Sequence, residues 1–166
     1  SSKGELYTKF VERFLMYIPV DYRSRDKIKL FGDFTQEAYD FFLHKPNNLR
    51  KIEILTNDSG KNPSITILIS LENRPFIIDS LNSLMSKLAL QPVFTFHPVI
   101  TATRDDKGTL QDVGAHTKNS THEALVYIKV LGNFDDTALT NIKSEISNII
   151  DLVYYTYDSW QSLLNK

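Results

Sequence analysis

An α+β fold is predicted: a four-stranded antiparallel sheet of ferredoxin-like plan, helices on one face, and a helical pair ahead of it. Three observations predict it. Two apolar stripes with a 3.6-residue period fill residues 5–18 and 26–44. From residue 51 the apolar period changes to two. From residue 65 the order is strand, helix, strand, strand, helix, the split βαβ plan without its last strand. The run 51–56 fills that empty position beside 65–71.

The elements follow in order. In 5–18 (ELYTKFVERFLMYI) Leu6, Phe10, Phe14 and Ile18 recur four apart, and Pro19 ends the helix. A polar turn is expected over 21–25. Ile28, Phe31, Phe34, Ala38, Phe41 and Phe42 then share one broad face over 26–44, interrupted by Gly32 and closed by Pro46-Asn47-Asn48. Residues 51–56 (KIEILT) and 65–71 (ITILISL) alternate as strands around the turn cluster Asn57-Asp58-Ser59-Gly60 and Pro63. Asn73 is placed to cap a helix opening at Arg74 or Pro75, with Ile77, Ile78, Leu81, Leu84, Met85 and Leu88 buried up to about Ala89. Residues 93–104 (VFTFHPVITATR) form one long run, in which Pro98 marks an edge, bulge or bend. The polar stretch 109–122 is read as a loop, and 124–130 (ALVYIKV) as a strand. Asp135 or Asp136 caps a last helix that runs uninterrupted toward Leu164, longer than a compact domain of this size needs. Its Tyr154, Tyr157 and Trp160 require something to lean on. The expected division is a helical segment, 1–48, and an α/β module, 49–166.

Composition bounds the function. The 166 residues carry 19 Lys and Arg against 20 Asp and Glu, so no global field favours nucleic acid. No apolar run approaches a membrane span, and no secretory segment opens the chain, so a cytoplasmic protein without membrane or nucleic-acid partners is expected. The absence of cysteine removes disulfides, thiolate zinc sites and cysteine nucleophiles. Residue 1 is Ser, which fits an excised piece of a longer protein. There is no G-x-G-x-x-G for a dinucleotide and no G-x-S-x-G elbow. Phe94 and Phe96 share a strand face, but no base joins them before Arg104, which argues against an RNA-binding sheet. His97, His116 and His122 with Asp105, Asp106 and Asp112 match no zinc spacing. No catalytic, cofactor-binding or metal-ligating residue is therefore assigned.

Three segments carry a resemblance. ITILISLENRPFIIDSL (65–81) joins a strand to an acidic turn and a Pro-Phe-apolar-apolar-Asp-Ser helix opening. FHPVITATRDDKGTL (96–110) pairs His-Pro-Val with Arg-Asp-x-x-Gly, and the last helix carries YDSW at 157–160. FLMYIPVDYRSRD (14–26) adds a helix, a proline and an acidic-aromatic segment. In this order they resemble the N-terminal region of the large bacterial NAD-specific glutamate dehydrogenases, which place ACT-like modules ahead of the catalytic domain. The chain departs from that pattern at Glu72, Asn73 and Arg74, where members often carry two acidic residues and Met.

The resemblance implies an ACT-like fold and a parent that oxidatively deaminates L-glutamate to 2-oxoglutarate and ammonia with NAD. It implies a non-catalytic regulatory or assembly module here, with no cofactor of its own, partnered by other domains of the same chain and by further copies in a homo-oligomer. The alternative is a free-standing ACT-like homodimer that senses an amino acid. Glu72-Asn73-Arg74 sits where ACT-like modules present backbone donors to such an effector; the other reading is a capped helix start with a solvated Arg74. Asp79 is expected to reach back to that loop. His97 either switches a packing contact by titration or is a partly buried histidine held by a backbone partner. Arg104-Asp105 is either an ion pair holding its hairpin against a neighbouring domain or an exposed pair of little weight.

Overall fold

Leu6, Phe10 and Phe14 recur every four residues because a helix returns to the same face at that spacing. All three are buried in α1 (Lys3–Leu15), whose first turn is capped by Ser2 Oγ accepting from the Glu5 N–H at 3.3 Å. The computed structural model describes residues 2–18, 20, 25–46, 50–58 and 60–166, with residues 25–30 described by backbone alone. Pro19, the turn over 21–24, the Ile28 side chain and the Asn47-Asn48 break lie outside the described residues.

Phe10 is fully buried, its ring 5.4 Å from Phe14, 5.2 Å from Tyr39 and 5.5 Å from Phe42. The last two belong to α2 (Arg25–Phe42), so one aromatic cluster fixes the helical pair. Such ring pairs add about 0.5–1.5 kcal/mol each beyond the area they bury.

Six strands form the sheet: β1 (Arg50–Asn57), β2 (Ser64–Glu72), β3 (Pro92–Phe96), β4 (Val99–Arg104), β5 (Leu110–Val113) and β6 (Ser120–Leu131). Their order is β1-β2-β6-β4-β5, with β3 also paired to β6. The four strands expected become six for two reasons. Pro98 divides the run 93–104, yet its carbonyl still accepts the Leu125 N–H at 2.9 Å, since proline removes only a donor. The stretch expected to loop outward contributes β5 and the polar start of β6: Leu110 and Val113 are buried while Gln111 is exposed. β4 pairs antiparallel with both, Thr101 opposite His122 and Ala102 opposite Val113. β2 is buried at every residue from Ser64 to Leu71, so it shows neither face to solvent.

The chain divides into two compact units, and β1, β2, β3 and β6 contribute residues to both. The first comprises Ser1–Lys51, Leu68–Glu72 and Phe96–Tyr127. In it the Phe34 ring lies 5.1 Å from Tyr127, so α2 packs on β6 at Tyr127. The second comprises Ile52–Ile67, Asn73–Thr95 and Ile128–Lys166. In it α3 (Ile77–Lys87) packs along α4 (Asp136–Leu164).

The helix after residue 73 begins later than expected. Phe76 adopts a left-handed φ of +69°, incompatible with a helical turn, and α3 opens at Ile77 with no side-chain cap. Asn73 is therefore not its cap. Asp135 does cap α4, accepting the Ala138 N–H at 2.7 Å. Asp135→Ala is expected to lower stability by about 1 kcal/mol in urea denaturation, with Asp135→Asn close to the parent.

Candidate functional site

The first unit buries three charges together. α2 ends at Phe42 with no basic residue in its last turn. Its terminal carbonyls are the negative end of the helix dipole and lack intrahelical partners. Arg104, the last residue of β4, supplies the missing cation: its Nη2 donates to the Phe42 carbonyl at 2.8 Å, and its guanidinium lies 4.7 Å from the Phe42 ring centre. Nη1 donates to the Gly108 carbonyl at 2.9 Å. Toward β6, Arg104 Nε donates to Glu123 Oε1 at 3.0 Å and Nη2 to Oε2 at 2.9 Å. Lys45 Nζ reaches the same carboxylate at 2.6 Å, and the Thr121 hydroxyl at 3.4 Å. The side chains of Lys45, Arg104 and Glu123 are only 3%, 4% and 1% exposed, so this is an interior network.

Burial raises the Glu123 pKa, but the hydrogen bonds and charge of Arg104, with the charge of Lys45, more than offset it, leaving the carboxyl below its ordinary value. Lys45 moves down from the ordinary lysine value. Burial dominates there; Glu123 opposes it, while the like charge of Arg104 adds to it. The two directions are consistent, because one carboxylate faces two cations. A small polar cavity of about 110 Å³ adjoins the network, lined by Lys45, Arg104 and Glu123 with Glu72, Asn119 and Thr121.

The expected site residues are distributed as follows. Arg104 is interior and pairs with Glu123 rather than with Asp105, because successive strand residues point to opposite faces. Asp105 instead shapes its turn, accepting the Lys107 N–H at 3.0 Å and the Thr109 N–H at 2.9 Å. Glu72 lines the same cavity as Arg104. Asn73 and Arg74 lie in the second unit, where the guanidinium sits 5.6 and 5.4 Å from the Tyr154 and Tyr157 ring centres and donates to the Asn73 carbonyl at 3.1 Å. Asp79 is exposed in the first turn of α3. His97 is exposed between β3 and β4, not partly buried as expected, since Pro98 takes the inward position beside it. Lys45 and Glu123 were not anticipated. A lone carboxylate entering the apolar run 124–130 was the available signal.

Among the described residues no group of three or more His, Cys, Asp or Glu is placed to hold a metal ion, and no helix is long and apolar enough to cross a membrane. A family model, described as the ACT1 domain of glutamate dehydrogenase, matches residues 10–146, from inside α1 into α4. The chain belongs to the glutamate dehydrogenase ACT1 domain family. Neither the curated proteins nor the solved structures searched gave a significant match. The ACT1 match, within which the Lys45–Glu123–Arg104 network and the 72–74 turn fall, itself supports a regulatory module of a glutamate dehydrogenase-like protein.

The second unit of this ACT1 chain carries a different feature. Phe76, Leu152, Val153, Tyr157 and Trp160 line an apolar groove of about 490 Å³ along α3 and α4. Phe76 is 71% exposed and Trp160 54% exposed. A bulky residue held at positive φ is costly, on the order of 1–3 kcal/mol, and such strain gathers where side chains have a task.

Proposed function

We propose that this chain is a non-catalytic regulatory and assembly module of a large NAD-dependent glutamate dehydrogenase, which packs through the Phe76–Trp160 groove against another part of that polypeptide. The observation that carries it is the ACT1 match over residues 10–146, which concerns one domain of a larger enzyme. The strained, exposed Phe76 supports the docking role: a backbone cost retained to hold an aromatic ring outward is offset once that ring is buried by a partner. Its mechanism is linkage. A neighbour that binds one arrangement of the module better shifts the enzyme toward it. NAD and the hydride chemistry belong to the parent's catalytic domain, since this chain has no dinucleotide fingerprint.

The test is made on both the module and the full-length parent. Phe76→Gly removes the strain and the ring, so the isolated chain is expected to gain about 1 kcal/mol in denaturant titration. In the parent the same change, or Trp160→Asp, is expected to weaken assembly in sedimentation velocity and alter NAD-dependent glutamate oxidation. Unchanged assembly and activity with both variants overturn the docking role, and a parent that reduces no NAD with glutamate overturns the whole reading.

An amino-acid effector at 72–74 is tested separately, by thermal midpoint against free amino acids. Arg74 stacks over the Tyr154 and Tyr157 rings. A selective midpoint shift with glutamate or aspartate that Arg74→Ala abolishes would establish the sensor, and no shift with either would overturn it.

A further inference from the structure

We infer that the first unit carries a binding site for a small phosphate monoester, between the C-terminal turn of α1, β4, β6 and the loop after β5. The site is a cavity of about 250 Å³ with one permanent cation, two imidazoles and two hydroxyls among its lining residues, and no carboxylate. That absence separates it from the cavity beside Lys45, where Glu72 and Glu123 answer the cations.

The two hydroxyls, of Tyr17 and Thr101, are already engaged, but the cation is held in place without being consumed. Arg13, in the last turn of α1, makes no hydrogen bond or ion pair among the described residues. It is nevertheless seated: its Nε and Nη2 lie 3.0 and 3.1 Å from the point where a Cβ on Gly114 would stand. Gly114, at φ +90°, thus gives the guanidinium a flat backbone to rest on. Thr101 Oγ1 meets His122 Nδ1 at 3.2 Å, which orients that ring and leaves its Nε2 available. The His116 ring is 5.6 Å from His122. Two imidazoles without a third ligand fall short of a zinc set, whereas with a guanidinium they offer N–H groups from three elements. A tetrahedral oxyanion accepts from several directions, while a carboxylate accepts in one plane.

The rest of the wall is apolar. Met16, Tyr17 and Val99 complete the lining, and the Tyr17 hydroxyl donates to the Val99 carbonyl at 3.2 Å. The volume suits a compact ester and is too small for a dinucleotide.

The test is calorimetric titration of the chain with inorganic phosphate, phenyl phosphate and acetate at matched ionic strength. Saturable binding of phenyl phosphate is expected, tighter than inorganic phosphate, with acetate silent. Arg13→Gln is expected to weaken it about tenfold or more, the weight of a lost charge-assisted pair. His122→Gln should also weaken it, and Gly114→Ala should do so by displacing Arg13. Arg13 and His122 are exposed, so both variants should fold, as circular dichroism checks. No saturation with either phosphate, equal binding of acetate, or parent-like affinity in Arg13→Gln and His122→Gln together would each overturn the assignment. None of these readouts depends on the enzyme proposed above.

Discussion

Glu123→Ala is expected to cost about 3–5 kcal/mol of folding stability, read as a fall in the urea midpoint at unchanged slope. The carboxylate is 1% exposed and holds Lys45 at 2.6 Å and Arg104 at 2.9 Å. Its removal strands two cations in the interior, and a stranded buried charge costs more than a hydrogen bond. Acid supplies a second measure of the same interaction. Burial works against the carboxylate, but Arg104 and Lys45 hold its folded pKa below the ordinary value. Its contribution is therefore fully present above the unfolded carboxyl pKa of about 4.3 and is lost as pH falls through the lower, folded value. Glu123→Gln removes this portion, so the parent's stability should fall more steeply than the variant's below about pH 4. Lys45 carries the opposite sign. Its lowered folded pKa is a cost at neutral pH, relieved as pH rises toward the unfolded lysine value of about 10.4.

An apolar replacement of all three residues should not recover the loss, although such replacements are neutral or stabilising in some buried networks. Arg104 is more than a member of an ion pair here. It donates to the Phe42 carbonyl at the end of α2 and to the Gly108 carbonyl in the turn after β4. An aliphatic side chain leaves the Phe42 carbonyl without this donor and the Gly108 carbonyl with only the Lys45 N–H. The network is thus a joint between a helix end, a turn and a strand, and its charges also saturate backbone carbonyls.

What the sequence made legible follows from how far each signal reaches. The helical stripes were legible because Phe10, Phe14, Phe34 and Phe42 repeat at a period that only one regular structure buries. The strands of 65–71 and 124–130 were legible for the same reason, and Asp135 announced α4 by its chemistry alone. β5 was not, since Leu110 and Val113 are two apolar residues in a polar stretch, aligned by pairing with β4 and packed against α1 only in the folded unit. The start of α3 was misplaced because an Asn-x-Pro string suits a helix opening, while the left-handed turn at Phe76 has no marker in its own residue type. The site fared similarly. Arg104 was legible as a position, but its partner is 19 residues away on another strand, a distance no local pattern encodes. Arg13 and Gly114, more widely separated still, meet only in the folded unit.

Gly108→Ala is expected to be the other severe change, with a loss of about 3 kcal/mol or more from strain and collision together. Gly108 sits at φ +87°, and a Cβ there would stand 2.0 Å from the Lys45 carbonyl oxygen and 2.8 Å from its carbon. Both are backbone atoms, so neither can swing aside. The chains lie this close because the Lys45 N–H donates to the Gly108 carbonyl at 3.0 Å, and the same oxygen accepts from Arg104. Separating them pulls Lys45 away from Glu123. Gly60 provides the control: its φ is +106° and nothing lies within 4 Å of its would-be Cβ. Gly60→Ala should show only the backbone penalty of about 1–2 kcal/mol, and the excess of Gly108→Ala over it measures the collision. If that excess acts through the buried network, the double variant Gly108→Ala, Glu123→Ala should lose clearly less than the sum of the two single losses. Additive losses would mean that the turn and the network are held independently, and that Gly108 matters for its backbone alone.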